Sequence, residues 1–389
     1  MHKAIFVALL SLSFLSPREA AAQNAPAREL MPLEQLRVLA GVYQMLLSDH
    51  VTKLDGPELV YHAIRGMVRG ADPEGGEFYG SDDFKQFREG RKVGEVAIGM
   101  QIRPRNGQLM LAPLSGGSAM EAGVRLDDVL HAVDGKRVSR MQVHEISSML
   151  RGPEGSKVTL TVFRESSLTV ETIAVERKAE VEQKPSLSRP SPGVALLRIP
   201  TFNEATLRST VDLLLREWQS EPIRAMLLDL RGCPGGLLEV ANALSTIFLP
   251  ENVTVVRMAG RLPEANFVYR ASKEFYQRRA GPDPLAGLPA ALKTVPLAVL
   301  VDNATTSGAE IVAAALQDNR QAVIVGKKTY GRGSIQTVRP LGPTEGVKVT
   351  TAYWTSPNGK SIHGEGVTPD IEAESPEAVQ TAVRKLFAQ

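Results

Sequence analysis

Apolar residues recur at helical spacing from Pro32 to about Arg69, as Leu33, Leu36, Leu39, Val42, Tyr43, Leu46 and Leu47, then Leu59, Val60, Ile64, Met67 and Val68. That spacing predicts two helices. They meet at Asp55-Gly56-Pro57, where the proline suits a first helical turn and Asp55 or Gly56 its cap. The turn-rich Gly70–Gly76 follows, and Ser81-Asp82-Asp83 ahead of Phe84 and Phe87 opens a third helix.

From Val93 to Arg177 the pattern shortens to strand-like runs at Val96–Ile102, Leu109–Leu111, Val129–Val133, Val158–Val162 and Thr169–Val175. One helical pattern, Val143, Ile146, Met149 and Leu150, is inserted among them. Such a set predicts a small, partly open β-barrel whose free strand edge faces the inserted helix. Residues 179–192 hold prolines, serines and charges without a period and predict a linker.

The remainder alternates. Strands are expected at Val194–Ile199, Ala225–Leu230, Val253–Met258, Leu297–Val301 and Ala322–Val325, with Val347–Trp354 as an edge strand. Helices are expected from an Asn203 cap to Trp218, over Leu237–Phe248 and over Ser307–Leu316, while Arg261–Leu292 has no clear pattern. The fold class is therefore multidomain α/β: a helical N-terminal region, a β-barrel with an inserted helix, and an α/β layered sheet whose sites gather at strand ends.

Composition narrows the classes. With 43% hydrophobic and 23% charged residues the 389-residue chain can bury several cores, and its net charge of +2 comes from 45 basic and 43 acidic residues spread along its length. Nothing there argues for nucleic acid. No His, Cys or carboxylate set has metal-ligand spacing, so no metal or other cofactor is expected, and His131 and His144 read as surface or packing residues. Lys3, the apolar Ala4–Leu15 and the small residues Ala20-Ala21-Ala22 read as an export signal over residues 1–22, too short to span a bilayer. A retained, membrane-associating anchor is the competing reading. The lone Cys233 allows no internal disulfide, and a bacterial periplasm is the simplest compartment.

Residues 93–178 resemble a PDZ domain of the bacterial protease type. The match rests on Gly117-Ser118-Ala119-Met120-Glu121-Ala122-Gly123-Val124, on Asp127–Gly135, and on Ile98-Gly99-Met100 where that family has its carboxylate-binding loop. The resemblance implies that backbone N–H groups there hold a chain-terminal carboxylate while the peptide adds a strand and meets Val143 and Ile146. A packed β-domain that binds nothing is the plainer alternative.

Three stretches beyond residue 193 resemble the tail-specific, or carboxy-terminal processing, serine proteases. One is Leu228-Asp229-Leu230-Arg231-Gly232-Cys233-Pro234-Gly235-Gly236, a strand-to-helix turn that suits an oxyanion. The second is Val299–Val312, where the resemblance makes Ser307 the nucleophile, Gly308 one oxyanion donor and Gly235 or Gly236 the other, with Glu310 in the same neighbourhood. Without the family, the first is an ordinary turn and the serine an ordinary helix cap.

The third is Val325–Gln336, where the family has a lysine 25 positions after the serine and a glutamine four further on; Gln336 matches, and the lysine position holds Arg332. Burial can lower a lysine pKa from about 10.4 toward 7, at about 4–5 kcal/mol; an arginine at about 13.8 would need roughly 9 kcal/mol. Arginine is not neutralised in proteins and offers no acceptor for a serine proton. Lys327, Lys328 and His363 are the neighbouring residues able to substitute in principle.

The resemblance thus implies a signal peptide (1–22), a helical N-terminal region (23–92), a peptide-binding PDZ domain (93–178), a linker (179–192) and a protease core (193–389). It implies a serine endopeptidase acting on proteins or peptides with accessible C-termini, with a peptide-binding pseudopeptidase as the alternative. A homo-oligomer through the N-terminal helices, an adaptor, and a PDZ domain that gates the cleft are further expectations.

Overall fold

The computed structural model describes residues 32–89, 95–179, 183–277, 280–319 and 322–387. The export signal expected at residues 1–22 lies outside them.

Two units divide the chain at Ala63/Ile64. The first holds the helix Leu33–Asp49, none of whose residues is buried; Leu33, Val38 and Met45 are 71%, 67% and 53% exposed. The next helix, Gly56–Ala71, is capped by Asp55, whose carboxylate accepts the Glu58 N–H at 2.9 Å.

In the second unit the protease core is a six-stranded sheet in the order Ser186–Ser191, Val194–Arg198, Ala225–Asp229, Leu297–Val301, Ala322–Gly326, Ile371–Glu372. All neighbours are parallel except the first pair. Leu297–Val301 shows why an unbroken apolar run was needed. Leu297, Val299 and Val301 enter the core that also takes the helices Glu204–Ser220, Leu238–Phe248 and Gly308–Asp318, while Ala298 and Leu300 pack on the other face with Ala378, Ala382 and Leu386 of the helix Ser375–Phe387. With both faces covered, the strand ends are where the chain can open onto solvent.

The spacing predicts a linker over 179–192, but Ser186–Ser191 forms the edge strand of this sheet. Its residues are half-buried or exposed, with Pro190 where an edge tolerates a missing N–H. Val347–Trp354, expected as an edge strand, lies at the centre of a second sheet: Gly346–Thr355 pairs with Glu77–Tyr79, Thr254–Gly260 and Ser334–Pro340. Its alternation records one open face and says nothing of its neighbours. Phe267–Arg270, in the stretch without a pattern, closes that sheet's far side.

The PDZ portion is a six-stranded sheet in which Met100–Arg105, Gln108–Pro113, Val129–Val133, Lys157–Arg164 and Thr169–Glu176 follow one another, with Lys136–Arg137 beside Val129–Val133. The helix Val143–Met149 sends Ile146 into its core. Met100–Arg105 is an edge strand, so one side has no partner among the described residues.

Candidate active site

Leu297–Val301 ends in the loop Asp302–Thr306, and Asp302 makes that loop rigid. Its Oδ1 accepts N–H groups from Ala304 (3.0 Å), Thr305 (2.9 Å) and, across the cleft, Gly232 (2.9 Å). Thr306 N–H donates to the Cys233 carbonyl at 3.0 Å, and the Thr305 hydroxyl to the Leu230 carbonyl at 2.8 Å. Two strand ends are thereby stitched together. The chain then turns sharply at Ser307, whose φ of 58° and ψ of −123° lie where non-glycine residues are strained. Glu310, one turn on, holds the strain: its Oε2 accepts the Ser307 N–H at 2.8 Å, and its own N–H donates to the Ser307 carbonyl at 2.9 Å. The serine is set at the N-terminus of the helix Gly308–Asp318, whose dipole favours negative charge.

The glycine turn faces it. Gly235 has φ 73°, and a Cβ there would lie 2.5 Å from the Gly308 nitrogen. Burial pushes the neighbouring Cys233 thiol up to about 12. The Gly235 carbonyl accepts from Phe202 N–H at 2.8 Å and the Thr201 hydroxyl at 3.3 Å. Fixing the carbonyl of a trans peptide aims the N–H of the same unit, that of Gly236, the opposite way. Among the described residues neither Gly236 nor Gly308 gives its N–H to an acceptor, and a Cβ on Gly308 would lie 3.4 Å from the Gly236 nitrogen. Gly236 thus presents an open donor next to Gly308.

The third stretch is held by backbone. Glu310 is fully buried, and its Oε1 accepts the Thr329 hydroxyl at 2.5 Å and Gly331 N–H at 2.6 Å, while Oε2 also accepts Arg332 N–H at 2.9 Å. Burial raises this carboxyl above the usual carboxylate range, with the four donors pulling the other way. The group acts as an organiser, joining Ser307 and Arg332 through one oxygen. Tyr330 N–H reaches the Thr305 carbonyl at 3.1 Å. The Arg332 backbone therefore sits beside Ser307.

Its side chain makes no hydrogen bond or ion pair among the described residues, and no side-chain nitrogen there lies within hydrogen-bond reach of the Ser307 hydroxyl. Lys327 pairs with Glu374 at 2.8 Å and Lys328 with Glu365 at 3.8 Å, both at the surface. The His363 ring packs on Tyr353, centroids 4.7 Å apart. Gln336 is in the strand Ser334–Pro340, opposite Thr350, with its amide against Gly75.

In the PDZ loop Gly99 has φ 62°, and a Cβ there would lie 2.6 Å from the Gly117 Cα. Neither Ile98 nor Gly99 N–H has an acceptor among the described residues. Ile98 and Ile146 are 1% and 0% exposed, so their side chains serve the core; the expected apolar contact of Ile146 with a peptide is blocked by that burial, which leaves half-buried Met100 and Val143.

The spacing gave no sign of Arg103. It leaves the PDZ edge strand, is 3% exposed, donates to the Ala304 carbonyl at 3.2 Å and lies 4.7 Å over the Tyr330 ring. Nothing in a strand alternation marks an arginine as buried. Asp302 organises its turn through the loop's own N–H groups, as an aspartate ending a buried strand can.

The fold and this site define a serine-type peptidase core joined to a PDZ domain. Residues 193–373 match the model of peptidase family S41 and residues 111–164 that of the PDZ domain. The chain is 30% identical over 342 residues to the carboxy-terminal processing protease CtpA of Bacillus subtilis, covering 86% of this chain and 68% of that one. It is 31% identical over 348 residues to a carboxy-terminal-processing protease of Bartonella bacilliformis, covering 88% and 76%. The structure of the photosystem II D1 C-terminal processing protease superposes with a TM-score of 0.70 at 23% identity, covering 92% of this chain and 97% of that one, which shows a shared fold. The chain belongs to the carboxy-terminal processing serine protease family.

Proposed function

We propose that the chain is an exported, periplasmic endopeptidase that binds unstructured or C-terminal peptide segments at Ile98–Met100 and attacks a peptide carbonyl with Ser307, at a rate held down by the want of a general base. The observation that carries this reading is the strained Ser307 beside two open donors, Gly236 and Gly308 N–H. A positioned base contributes about 10²–10⁴ in rate, and an oxyanion hole with binding alone leaves roughly 10³–10⁴ over water. Slow turnover is the expected result.

One observation favours the pseudopeptidase alternative, a peptide binder without turnover: no side-chain nitrogen meets the Ser307 hydroxyl among the described residues. Degradation of an unfolded protein by wild type, Ser307→Ala and Arg332→Lys separates the two. Wild-type turnover lost in Ser307→Ala supports the peptidase; activity confined to Arg332→Lys overturns it.

The exposed Leu33, Val38 and Met45 support self-association of the N-terminal helices, which a mass measurement on a chain lacking residues 32–55 would test.

A further inference from the structure

Two buried arginines of the PDZ sheet are treated differently. Arg164, 4% exposed, meets Asp128 and Glu171, each at 2.7 Å. Arg103, 3% exposed, makes no ion pair among the described residues. Its Nη2 has the Ala304 carbonyl and, at 3.5 Å, the Gln101 side-chain oxygen, but Nε and Nη1 are closed from solvent and have no acceptor. The nearby charges do not neutralise it. Glu310 has four donors already, and Asp127 attracts Arg103 without touching it. Arg105, 5.6 Å from the Tyr330 ring, and Arg332 add charge of the same sign. Burial lowers the Arg103 pKa, yet a guanidinium stays charged. A buried cation without an anionic partner is costly to keep, and a fold that keeps one is short of an anion.

The cluster is open on one side, where Arg105 is exposed and Arg332 half-buried. It borders Ala304, three residues before the nucleophile. Planar guanidinium groups match a carboxylate in two-point fashion, with the Tyr330 hydroxyl as a further donor.

We propose that Arg103, Arg105 and Arg332 around Tyr330 form a carboxylate site that takes the C-terminal carboxylate of a peptide beside the nucleophile loop, distinct from the loop at Ile98–Met100. The choice of a peptide carboxylate rests on the processing function proposed above; the demand for an anion does not. Arg332 has on this account exchanged the work of a proton acceptor for that of an anion clamp.

The test is calorimetric titration of the Ser307→Ala chain with an N-acetylated tetrapeptide acid and with its amide, repeated with Arg332→Gln or Arg103→Met added. Affinity for the acid should fall at least tenfold in either variant, the amide should bind at least tenfold more weakly than the acid, and Arg103→Met should melt no lower than its parent. Unchanged acid affinity in both variants would leave the PDZ loop as the sole carboxylate site and overturn the proposal. So would inorganic phosphate binding as tightly as the acid. Because no turnover is measured, an inactive Arg332→Lys enzyme would contradict the proposed function and leave this result standing.

Discussion

The two halves of the site are built to different standards. On the oxyanion side, Asp302, Cys233, Thr201 and Phe202 hold the backbone around the Gly236 and Gly308 N–H groups, which have no acceptor among the described residues. On the base side, Glu310 fixes the backbone of Arg332 equally well, but the side chain hangs from it without a partner among the described residues. Backbone geometry can outlast the side chain it was made for, because Glu310 binds N–H groups that any residue at 332 supplies.

Breaking the shared organiser should have the largest effect. Glu310→Ala strands four donors and should cost on the order of 4 kcal/mol, read by denaturant unfolding, with both halves losing register. Gly235→Ala disturbs only the oxyanion half: its Cβ would fall on Gly308 N and the backbone strain alone is about 1–2 kcal/mol. Serine labelling should drop while peptide affinity holds; loss of both would mean the turn also shapes the peptide site.

Away from the chemistry, His144 sits between Glu77 at 3.4 Å and Asp83 at 3.2 Å, and although burial opposes its charge, those carboxylates raise its pKa to about 9. Glu77 is lowered to about 2: burial raises it, and His144, Lys348 and Tyr79 outweigh that. A raised histidine pKa stabilises fully below its unfolded value near 6.5, and the gain is lost as pH rises through 9. The stability gap between wild type and His144→Gln should therefore shrink between pH 6.5 and 9, in thermal melts; a gap constant with pH would contradict the ion cluster. The smallest effect belongs to Lys328→Ala, a surface pair worth less than about 0.5 kcal/mol. Should that variant abolish turnover, the base has moved to Lys328 and the contrast between the halves disappears.

What could be read in advance follows the same division. Leu297–Val301 announced itself because a strand covered on both faces must be apolar throughout. Ser307, Gly308, the Gly235–Gly236 turn and the odd residue at Arg332 stood out only through the family resemblance, since without it the serine reads as a helix cap and the glycines as a turn. The strain at Ser307 was not legible, since it is imposed by Glu310 and the loop behind it. Ser186–Ser191 looked like a linker because an edge strand in water can be polar, and Gly346–Thr355 looked like an edge because alternation reports faces and not neighbours. Arg103 escaped because its burial depends on Tyr330 and Ala304, more than 200 residues away.

On this reading Ser307 is in position and lacks only a base. Labelling by a fluorophosphonate, which reports the reactivity of the serine itself, tests it in wild type, Arg332→Lys and Ser307→Ala. The account predicts slow, Ser307-dependent labelling of wild type and an increase of about 10²-fold or more in Arg332→Lys. Wild type labelling as fast as Arg332→Lys would contradict it, because some other group would then be taking the proton.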